Sequence, residues 1–188
     1  MRILRASDYR RMPWKNGAGE TVEIAVFPVS SSVENFDWRI SMASVVADGP
    51  FSMFPGIDRT LSILEGEGLS LSVEGRETVS LQTDSTPYSF PADMPTTARL
   101  KAGAVTDLNV MTRRGRFTHR VERRAGRLFE LKAANTTLIA IGLGPLSPEG
   151  RDGVLQPLDA LLLAPGEQGI LRGAQETVLF VVEIAEIE

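Results

Sequence analysis

Apolar and polar residues alternate along most of this 188-residue chain, in short runs separated by turn residues. In the run Trp38–Val46, for example, Arg39 and Ser41 fall on one face and apolar residues fall on the other. Successive side chains of a β-strand point to opposite faces, so this pattern predicts a strand with one polar and one apolar face. A helical period is sustained nowhere, and residues 5–12 predict only a single helical turn.

Similar runs follow one another to the end of the chain. Gly and Pro residues separate them at intervals of about 8–12 residues, which is typical of β-sandwiches and barrels. Residues 87–95 are rich in Pro and predict a crossing loop. The predicted strands are Thr21–Val29, Trp38–Val46, Thr60–Leu64, Leu69–Val73, Thr78–Leu81, Ala98–Ala102, Thr106–Thr112, Arg127–Lys132, Thr136–Gly142, Leu158–Leu163, Gly169–Arg172 and Thr177–Ile184.

Two stretches favour jelly-roll barrels. Residues 66–71 lead into a hairpin, after which residues 91–95 return the chain with Pro and an acidic residue, and residues 135–138 and 164–167 repeat this arrangement more faintly. We therefore predict an all-β bicupin, with two jelly-roll-like β-barrels in one chain. The N-terminal barrel would span 1–115 and the C-terminal barrel 116–188, and the N-terminal strand could contribute to either.

Composition limits the classes of function. Cysteine is absent, which excludes disulfides and thiolate metal sites, and the charged N-terminus lacks the apolar segment of a secretory signal. No apolar run reaches the roughly 20 residues of a membrane span. A cytoplasmic location is therefore predicted, with no membrane partner. The net charge of −4 argues against general nucleic-acid binding. The Arg-rich stretch Arg113–Arg127 is either a solvated connector or a phosphate-binding patch.

The chain lacks the usual catalytic side chains. Cupin metal sites use two or three histidines and a carboxylate, but this sequence contains one histidine, His119, within the Arg-rich stretch. The same shortage removes Ser-His-Asp and Cys-His catalysis. We therefore predict no metal, no cofactor and no catalytic residue of these kinds. His119 is interpreted as a surface side chain in preference to a general base.

Function must then be sought among polar residues beside turns. In the segment WKNGAGET, Trp14 offers a flat apolar wall, Asn16 offers donors and an acceptor, and Gly17 and Gly19 allow a close approach of the backbone. The alternative interpretation is an N-terminal turn that leads into the next strand, with Trp14 in the core.

Arg39 would lie inside the barrel together with Ser41. A buried guanidinium needs an anionic partner, because an unpaired buried charge is costly. The partner would be a protein carboxylate, namely Asp37, Asp58 or Asp107, or a carboxylate of a ligand.

Two further polar groups lie on neighbouring predicted strands. Asp58 and Arg59 begin one of them, and Asp107 and Asn109 share a face of the other with Met111. An Asn on an otherwise apolar strand is unfavourable unless it is hydrogen-bonded. These side chains face either a pocket or a wet outer surface.

The blocks WKNGAGET, FDWRISMA, DGPFSMFPGIDR and DLNVM, in this order, resemble the HutD/Ves family. The resemblance covers about residues 1–115 and continues more weakly to the C-terminus. It implies a bicupin without the usual metal histidines and a role in histidine utilisation, in which members bind a pathway intermediate and moderate flux or expression. The candidate ligands are urocanate, N-formylglutamate and formiminoglutamate.

The residues agree with such ligands. Arg39 or Arg59 would bind a carboxylate bidentately, and Trp14 or Phe54 would flank a planar group. The main hypothesis is a regulator that binds a carboxylate without turnover. The alternatives are a metal-independent cupin enzyme for a small carboxylate or sugar-like substrate, with Asp58 or Asp107 as general base, and a purely structural protein. The predicted polar lining comprises Asn16, Ser41, Asp58, Asp107 and Asn109.

Assembly is left open by the sequence. Thr177–Ile184 is apolar and close to the terminus. It is either an edge strand that pairs across a homodimer or an ordinary internal strand.

Overall fold

The computed structural model describes residues 1–14 and 19–187. Within these ranges the regular structure consists of sixteen β-strands and one 3-10 turn at Ala6–Asp8. The predicted all-β class is confirmed, and the 3-10 turn lies in the region where the sequence predicts a helical turn. In the described ranges, no helix has the length and apolar character needed to span a membrane.

The chain divides into two compact units. The N-terminal unit is Arg10–Phe117, and the C-terminal unit combines Met1–Tyr9 with Thr118–Glu188. The first strand, β1 (Arg2–Leu4), belongs to the C-terminal unit because it pairs antiparallel with β15 (Ala160–Leu163). The sequence left open which of the two units this strand joins.

The N-terminal unit contains two open sheets. The larger sheet has the strand order β2-β3-β4-β11-β6-β9, and the smaller has the order β5-β10-β7-β8. Their bounds are β2 Arg10–Pro13, β3 Gly19–Phe27, β4 Trp38–Val45, β5 Gly49–Pro50, β6 Ile57–Glu65, β7 Leu69–Val73, β8 Val79–Leu81, β9 Tyr88–Pro91, β10 Thr96–Leu100 and β11 Val105–Arg113.

The predicted strands of this unit match observed ones closely, but β2, β5 and β9 were not predicted. The predicted Pro-rich loop at 87–95 contains β9, which pairs with β6 at the edge of the larger sheet. An edge strand tolerates Pro91 because one side of its backbone needs no partner. Gly68 adopts a positive φ of 92°, and a Cβ there would lie 2.1 Å from the Leu81 carbonyl oxygen, so this turn requires glycine.

The C-terminal unit contains one sheet with the order β1-β15-β13-β16-β12, in which β14 also pairs with β16. The prediction of a connector at Arg113–Arg127 is wrong for most of its length, because this stretch belongs largely to a long strand. The predicted strands at 169–172 and 177–184 are likewise parts of one strand. The bounds are β12 Phe117–Lys132, β13 Thr137–Gly142, β14 Ser147–Pro148 and β16 Gln168–Glu186.

The position of Thr177–Ile184 settles one alternative. This segment lies in β16, between β13 and β12, and residues 179–184 are in register with β13. It is therefore an internal strand, and its interpretation as a free edge for dimer pairing is wrong.

The interiors of the two units differ in chemistry. The core of the C-terminal unit consists of buried apolar side chains. In the N-terminal unit, two apolar clusters lie at different heights along the strands, and polar side chains lie between them. Leu61 and Val105 belong to one cluster and Ile57 and Met111 to the other. The C-terminal core comprises Phe129, Leu131, Ala133, Leu138, Ala140, Leu146, Leu155, Leu161, Leu163, Leu171, Leu179 and Val181.

Candidate functional site

A cavity of about 440 Å³ lies within the N-terminal unit. Seven of the nine predicted ligand-binding residues line it: Trp14, Arg39, Ser41, Phe54, Arg59, Asp107 and Asn109. The remaining lining residues are Thr21, Ala43, Val45, Pro50, Phe51, Ser52 and Met111. The sequence left open whether the polar strand faces point into a pocket or outward, and the structure places them at the cavity.

The strand register explains how these side chains meet. β11 lies between β4 and β6, so residues of β11 have a partner on each side. Met111 lies opposite both Arg39 and Arg59, and Asn109 lies opposite Ser41. Residues opposite each other point to the same face of a sheet, so the two arginines approach the cavity from its two flanking strands.

Arg39 is already neutralised within the protein. Its Nε donates to Glu23 Oε2 at 2.7 Å, and the two side chains are 5% and 10% exposed. Glu23 lies on the neighbouring strand β3, opposite Ser41. The three carboxylates that the sequence suggested as partners, on Asp37, Asp58 and Asp107, are therefore not the partner of Arg39.

Arg59 has no carboxylate in hydrogen-bond contact among the described residues. Its Nε donates to Asn109 Oδ1 at 2.8 Å, and its Nη2 donates to the same oxygen. The guanidinium lies 4.4 Å from the centre of the Phe51 ring, a cation–π distance. Burial lowers the pKa of Arg59 to about 10; Asp107 partly opposes this, and Arg39 adds to it. A buried, only partly compensated guanidinium of this kind has the chemistry to bind an anion.

Asp107 completes a chain of three polar side chains. Its Oδ1 accepts from Asn109 Nδ2 at 2.6 Å, and its Oδ2 is buried without a hydrogen-bond partner in the described structure. Burial raises the pKa of Asp107 to about 6, against the lowering effects of Arg59, of the Asn109 amide and of the Ala43 backbone. Asn109 therefore links a buried carboxylate to a buried guanidinium, with its carbonyl towards Arg59 and its amino group towards Asp107.

Trp14 forms part of the wall and is not a core residue. Its backbone N–H donates to the Gly19 carbonyl at 2.9 Å, and its indole N–H donates to Thr21 Oγ1 at 2.9 Å. A Cβ on Gly19 would lie 2.0 Å from the Ser44 carbonyl, so glycine allows β3 to begin close to β4. With its polar atom satisfied, the indole presents an apolar surface to the cavity.

Of the two other predicted residues, Asp58 does not line the cavity. Asp58 is about half-exposed and accepts from Arg114 Nη2 at 2.8 Å. It adjoins Arg59 on a β-strand and therefore points to the opposite face, so its predicted place in the polar lining is wrong. Asn16 lies outside the described residues.

Sequence reasoning missed several lining residues and one important partner. Phe51, which packs on Arg59, lies in the block DGPFSMFPGIDR but was not singled out. Glu23 could have been found from the pattern, because a glutamate within the apolar strand TVEIAVF needs a cation. Met111 shares a face of β11 with Asp107 and Asn109, which were predicted, and Thr21 accepts the hydrogen bond of the predicted Trp14.

The Arg-rich stretch is largely paired with carboxylates. Arg116 Nη1 lies 2.5 Å from Asp37 Oδ1. Arg120 and Arg124 both pair with Glu122. His119 is half-buried on β12 and does not line the cavity.

The cavity does not suit a cupin-type metal. Such sites use imidazole and carboxylate ligands. Among the described lining residues, Asp107 is the only carboxylate, and Asn109 donates to one of its oxygens. Arg39 and Arg59 would repel a cation. In the described ranges, no group of three or more His, Cys, Asp or Glu is placed to hold a metal ion.

Comparison with known sequences places these features in a family. The HutD family matches residues 6–180. Protein Ves of Citrobacter koseri is 42% identical over 118 residues, which are 61% of this chain and 60% of that protein. An uncharacterised 21.2 kDa protein from the hutC 3′ region of Pseudomonas putida is 33% identical over 139 residues, which are 74% of this chain and 72% of that protein. This chain thus matches less than two thirds of the length of Ves.

Comparison with solved structures agrees with this family match. A conserved protein of unknown function from Pseudomonas aeruginosa PAO1 has a TM-score of 0.87 at 32% identity, with 98% of each chain covered. HutD from Pseudomonas fluorescens SBW25, in a formate condition, has a TM-score of 0.84 at 27% identity, covering 100% of this chain and 99% of that chain. A cupin 2 conserved barrel domain protein from Leptotrichia buccalis has a TM-score of 0.55 at 10% identity, covering 87% and 88%, and shows that the fold is cupin-like.

Proposed function

Because the chain belongs to the HutD family, we propose that it is a non-catalytic regulator of histidine utilisation that binds a carboxylate intermediate of the pathway in the cavity of its N-terminal unit. The link to the pathway is supported by the family and by the hutC-region origin of the Pseudomonas putida relative. The chemistry of binding is supported by the cavity itself.

One observation carries the proposal: Arg59 is buried at the cavity, and among the described residues only the Asn109 carbonyl accepts its hydrogen bonds. Because Arg39 is paired with Glu23, Arg59 is the better anchor for an external anion. Asn109 occupies the edge of the guanidinium formed by Nε and Nη2. The adjacent edge, formed by Nη1 and Nη2 and here called the outer edge, can then bind a carboxylate in the bidentate geometry that guanidinium groups favour.

The rest of the wall suits the candidate ligands. Urocanate, N-formylglutamate and formiminoglutamate each combine a carboxylate with a planar or hydrogen-bonding end. Trp14, Phe51 and Phe54 provide flat apolar surfaces, and Ser41 and Ser52 provide hydroxyl groups that donate and accept. A cavity of this size and mixed lining is typical of small-molecule sites.

Titration calorimetry with the three ligands tests this proposal, with product analysis after long incubation. We expect binding without turnover by the wild-type protein. Arg59→Ala should weaken it by about 2–5 kcal/mol, at least about 30-fold, because a buried charged partner of the ligand is lost. Asp58→Asn is the matched control, since the neighbouring residue points away from the cavity. Absence of heat with all three ligands, or binding that survives Arg59→Ala, would overturn the proposal.

Arg59→Lys tests the same contact if the Arg59→Ala variant does not fold. Lysine keeps the positive charge but lacks the planar fork that bonds Asn109 and a ligand together. We expect this variant to keep its melting temperature and to bind more weakly than the wild type. Arg39→Ala should instead mainly lower the stability of the protein, because it leaves Glu23 buried and unpaired.

A metal-independent enzyme is the second candidate, and Asp107 is the observation that favours it. A buried carboxyl with a pKa raised to about 6 resembles a general base tuned for neutral pH. Product formation that Asp107→Asn abolishes, while binding is kept, would support this candidate. Asp58 no longer qualifies as the base because it does not line the cavity.

Two jelly-roll cupin barrels, one for each unit, are the finer fold that we propose. The likeness to the Leptotrichia cupin supports it.

A cytoplasmic location is consistent with the absence of cysteine. A homodimer also remains a proposal, and light scattering would test it. Such a dimer would have to form without Thr177–Ile184 as a free edge.

A further inference from the structure

Asp107 is a buried carboxylate whose compensation is indirect. Asn109 lies between it and the Arg59 guanidinium and bonds to both. Oδ2 of Asp107 has no hydrogen-bond partner in the described structure. A buried anion without full hydrogen bonding is costly, so its charge depends on the cation at the far end of the chain.

The cavity holds few other charges that could change this balance. Arg39 on β4 and Glu23 on β3 form their own ion pair. β6 contributes Arg59, and β11 contributes Asp107. The other described lining residues are apolar or carry hydroxyl or amide groups that do not ionise near neutral pH. The charge state of the cavity therefore depends on Arg59, Asp107 and the ligand.

We infer that binding of a carboxylate at Arg59 is coupled to uptake of one proton from solvent by Asp107. This inference rests on the proposed function. A ligand carboxylate on the outer edge of Arg59 shares the guanidinium with the Asp107–Asn109 chain and adds a second negative charge nearby. Two carboxylates near one buried cation cannot both ionise without a large cost in free energy, so the buried one takes up a proton.

The expected pH dependence follows from the sign of this coupling. In the free protein the pKa of Asp107 is about 6, and in the complex it is higher. Below about pH 6 the carboxyl is already protonated in both states, so affinity is constant. Between that pH and the pKa of the complex, affinity should fall as pH rises, by up to about tenfold per pH unit.

Titration calorimetry of the full chain with N-formylglutamate and with formate tests the coupling, over about pH 5 to 8 and in buffers of different ionisation enthalpy. Both probes titrate well below this range, whereas the imidazole of urocanate does not. We expect little uptake near pH 5 and the largest uptake, approaching one proton, between about pH 6 and the pKa of the complex. Asp107→Asn keeps the side-chain volume and can still accept from Asn109. It should bind with no proton uptake and at all pH values with the low-pH affinity of the wild type.

The controls separate this inference from the proposed function. Asp58→Asn, which changes a surface carboxylate, should keep the pH dependence of the wild type. Arg59-dependent binding without proton uptake, or with the same pH dependence in Asp107→Asn, would overturn the coupling and leave the proposed function standing.

A second measurement decides the coupling if neither probe binds tightly enough for calorimetry. The infrared carbonyl band of protonated Asp107, identified by subtracting the spectrum of Asp107→Asn, reports its titration directly. High formate concentrations should shift the midpoint of this titration upward. An unchanged midpoint would overturn the inference.

Discussion

The two units of this chain use the same kind of strands to enclose opposite interiors. In the C-terminal unit, Ala140 lies opposite Leu161 and Val181, and the row is apolar throughout. In the N-terminal unit, Met111 on β11 lies opposite Arg39 and Arg59. Apolar interiors of this kind stabilise a fold, whereas buried arginines weaken it unless they serve a ligand or a network.

Two buried carboxylates, Asp159 and Asp107, show the same contrast between the two units. Asp159 in the C-terminal unit accepts from Arg5 Nη1 at 2.7 Å and from the backbone N–H groups of Ala6 and Gln156 at 2.7 and 2.9 Å. Burial raises its pKa, but these donors outweigh burial, so the pKa is lowered overall. Asp107 has one unsatisfied oxygen and a raised pKa. A hydrogen-bonded carboxylate such as Asp159 stabilises the structure, whereas an unsatisfied one such as Asp107 is a candidate for a functional role.

The largest expected effect on stability is in the apolar interior. Leu161→Ala should lower the free energy of unfolding by about 2–5 kcal/mol, because the side chain is fully buried and its removal leaves a cavity. Chemical denaturation measures this loss. Calorimetry at a temperature where the variant is folded should show unchanged ligand affinity. A fall in affinity with stability retained would contradict the division between the two interiors.

Asp107→Asn should have the next largest effect and should increase stability at neutral pH. A carboxyl whose folded-state pKa is raised from 3.8 to about 6 contributes stability that is present below about pH 4 and is lost as pH rises through about 6. Above pH 6 the variant should therefore gain as much as about 3 kcal/mol, and near pH 4 it should gain little. Denaturation curves across this range provide the measurement. A variant that is equally destabilised at every pH would show that ionised Asp107 is structural.

Asp159→Asn should change stability in the opposite direction. The lowered pKa of Asp159 means that its stabilisation is present above its unfolded-state pKa of about 4 and is lost as pH falls through the folded-state value. We expect the variant to lose about 1–3 kcal/mol at neutral pH and progressively less in acid. The same denaturation series measures it. Equal behaviour of the two Asp→Asn variants would remove the distinction between these carboxylates.

The smallest expected effect concerns the ring beside the anchor. Phe51→Leu keeps an apolar wall but removes the ring over the Arg59 guanidinium. Affinity should fall by about threefold to tenfold, since a desolvated cation–π contact contributes on the order of 1 kcal/mol. Calorimetry against the wild type measures this change, with Phe27→Leu as a control at an exposed aromatic residue remote from the lining. Equal losses in both variants would argue against a specific contact.

Much of the fold could be predicted because period-two alternation is a local property. Leu69–Val73 matches in both bounds, and most other strands match within a few residues. The prediction for the Arg-rich stretch was wrong because its charges suggested a solvated loop. In the structure, Arg116, Arg120 and Arg124 lie on or beside a strand and pair with carboxylates. The partner of β1 could not be predicted because it is more than 150 residues away in sequence.

The site was only partly predictable for a similar reason. Alternation placed Arg39 and Ser41 on one face, and the same rule puts Asp58 and Arg59 on opposite faces, so only one of that pair can line the cavity. The choice between the two arginines depended on Glu23, whose contact with Arg39 requires the register between strands. Register is set by packing across the sheet and cannot be derived from one strand alone.

The central claim is that Arg59 anchors a carboxylate in the N-terminal unit. A crystal structure of the protein soaked with N-formylglutamate tests it most directly. We expect a ligand carboxylate on the outer edge of Arg59, with the Arg39–Glu23 pair and the Asn109 contacts intact. A ligand bound away from Arg59, or bound to Arg39 after displacement of Glu23, would contradict the claim.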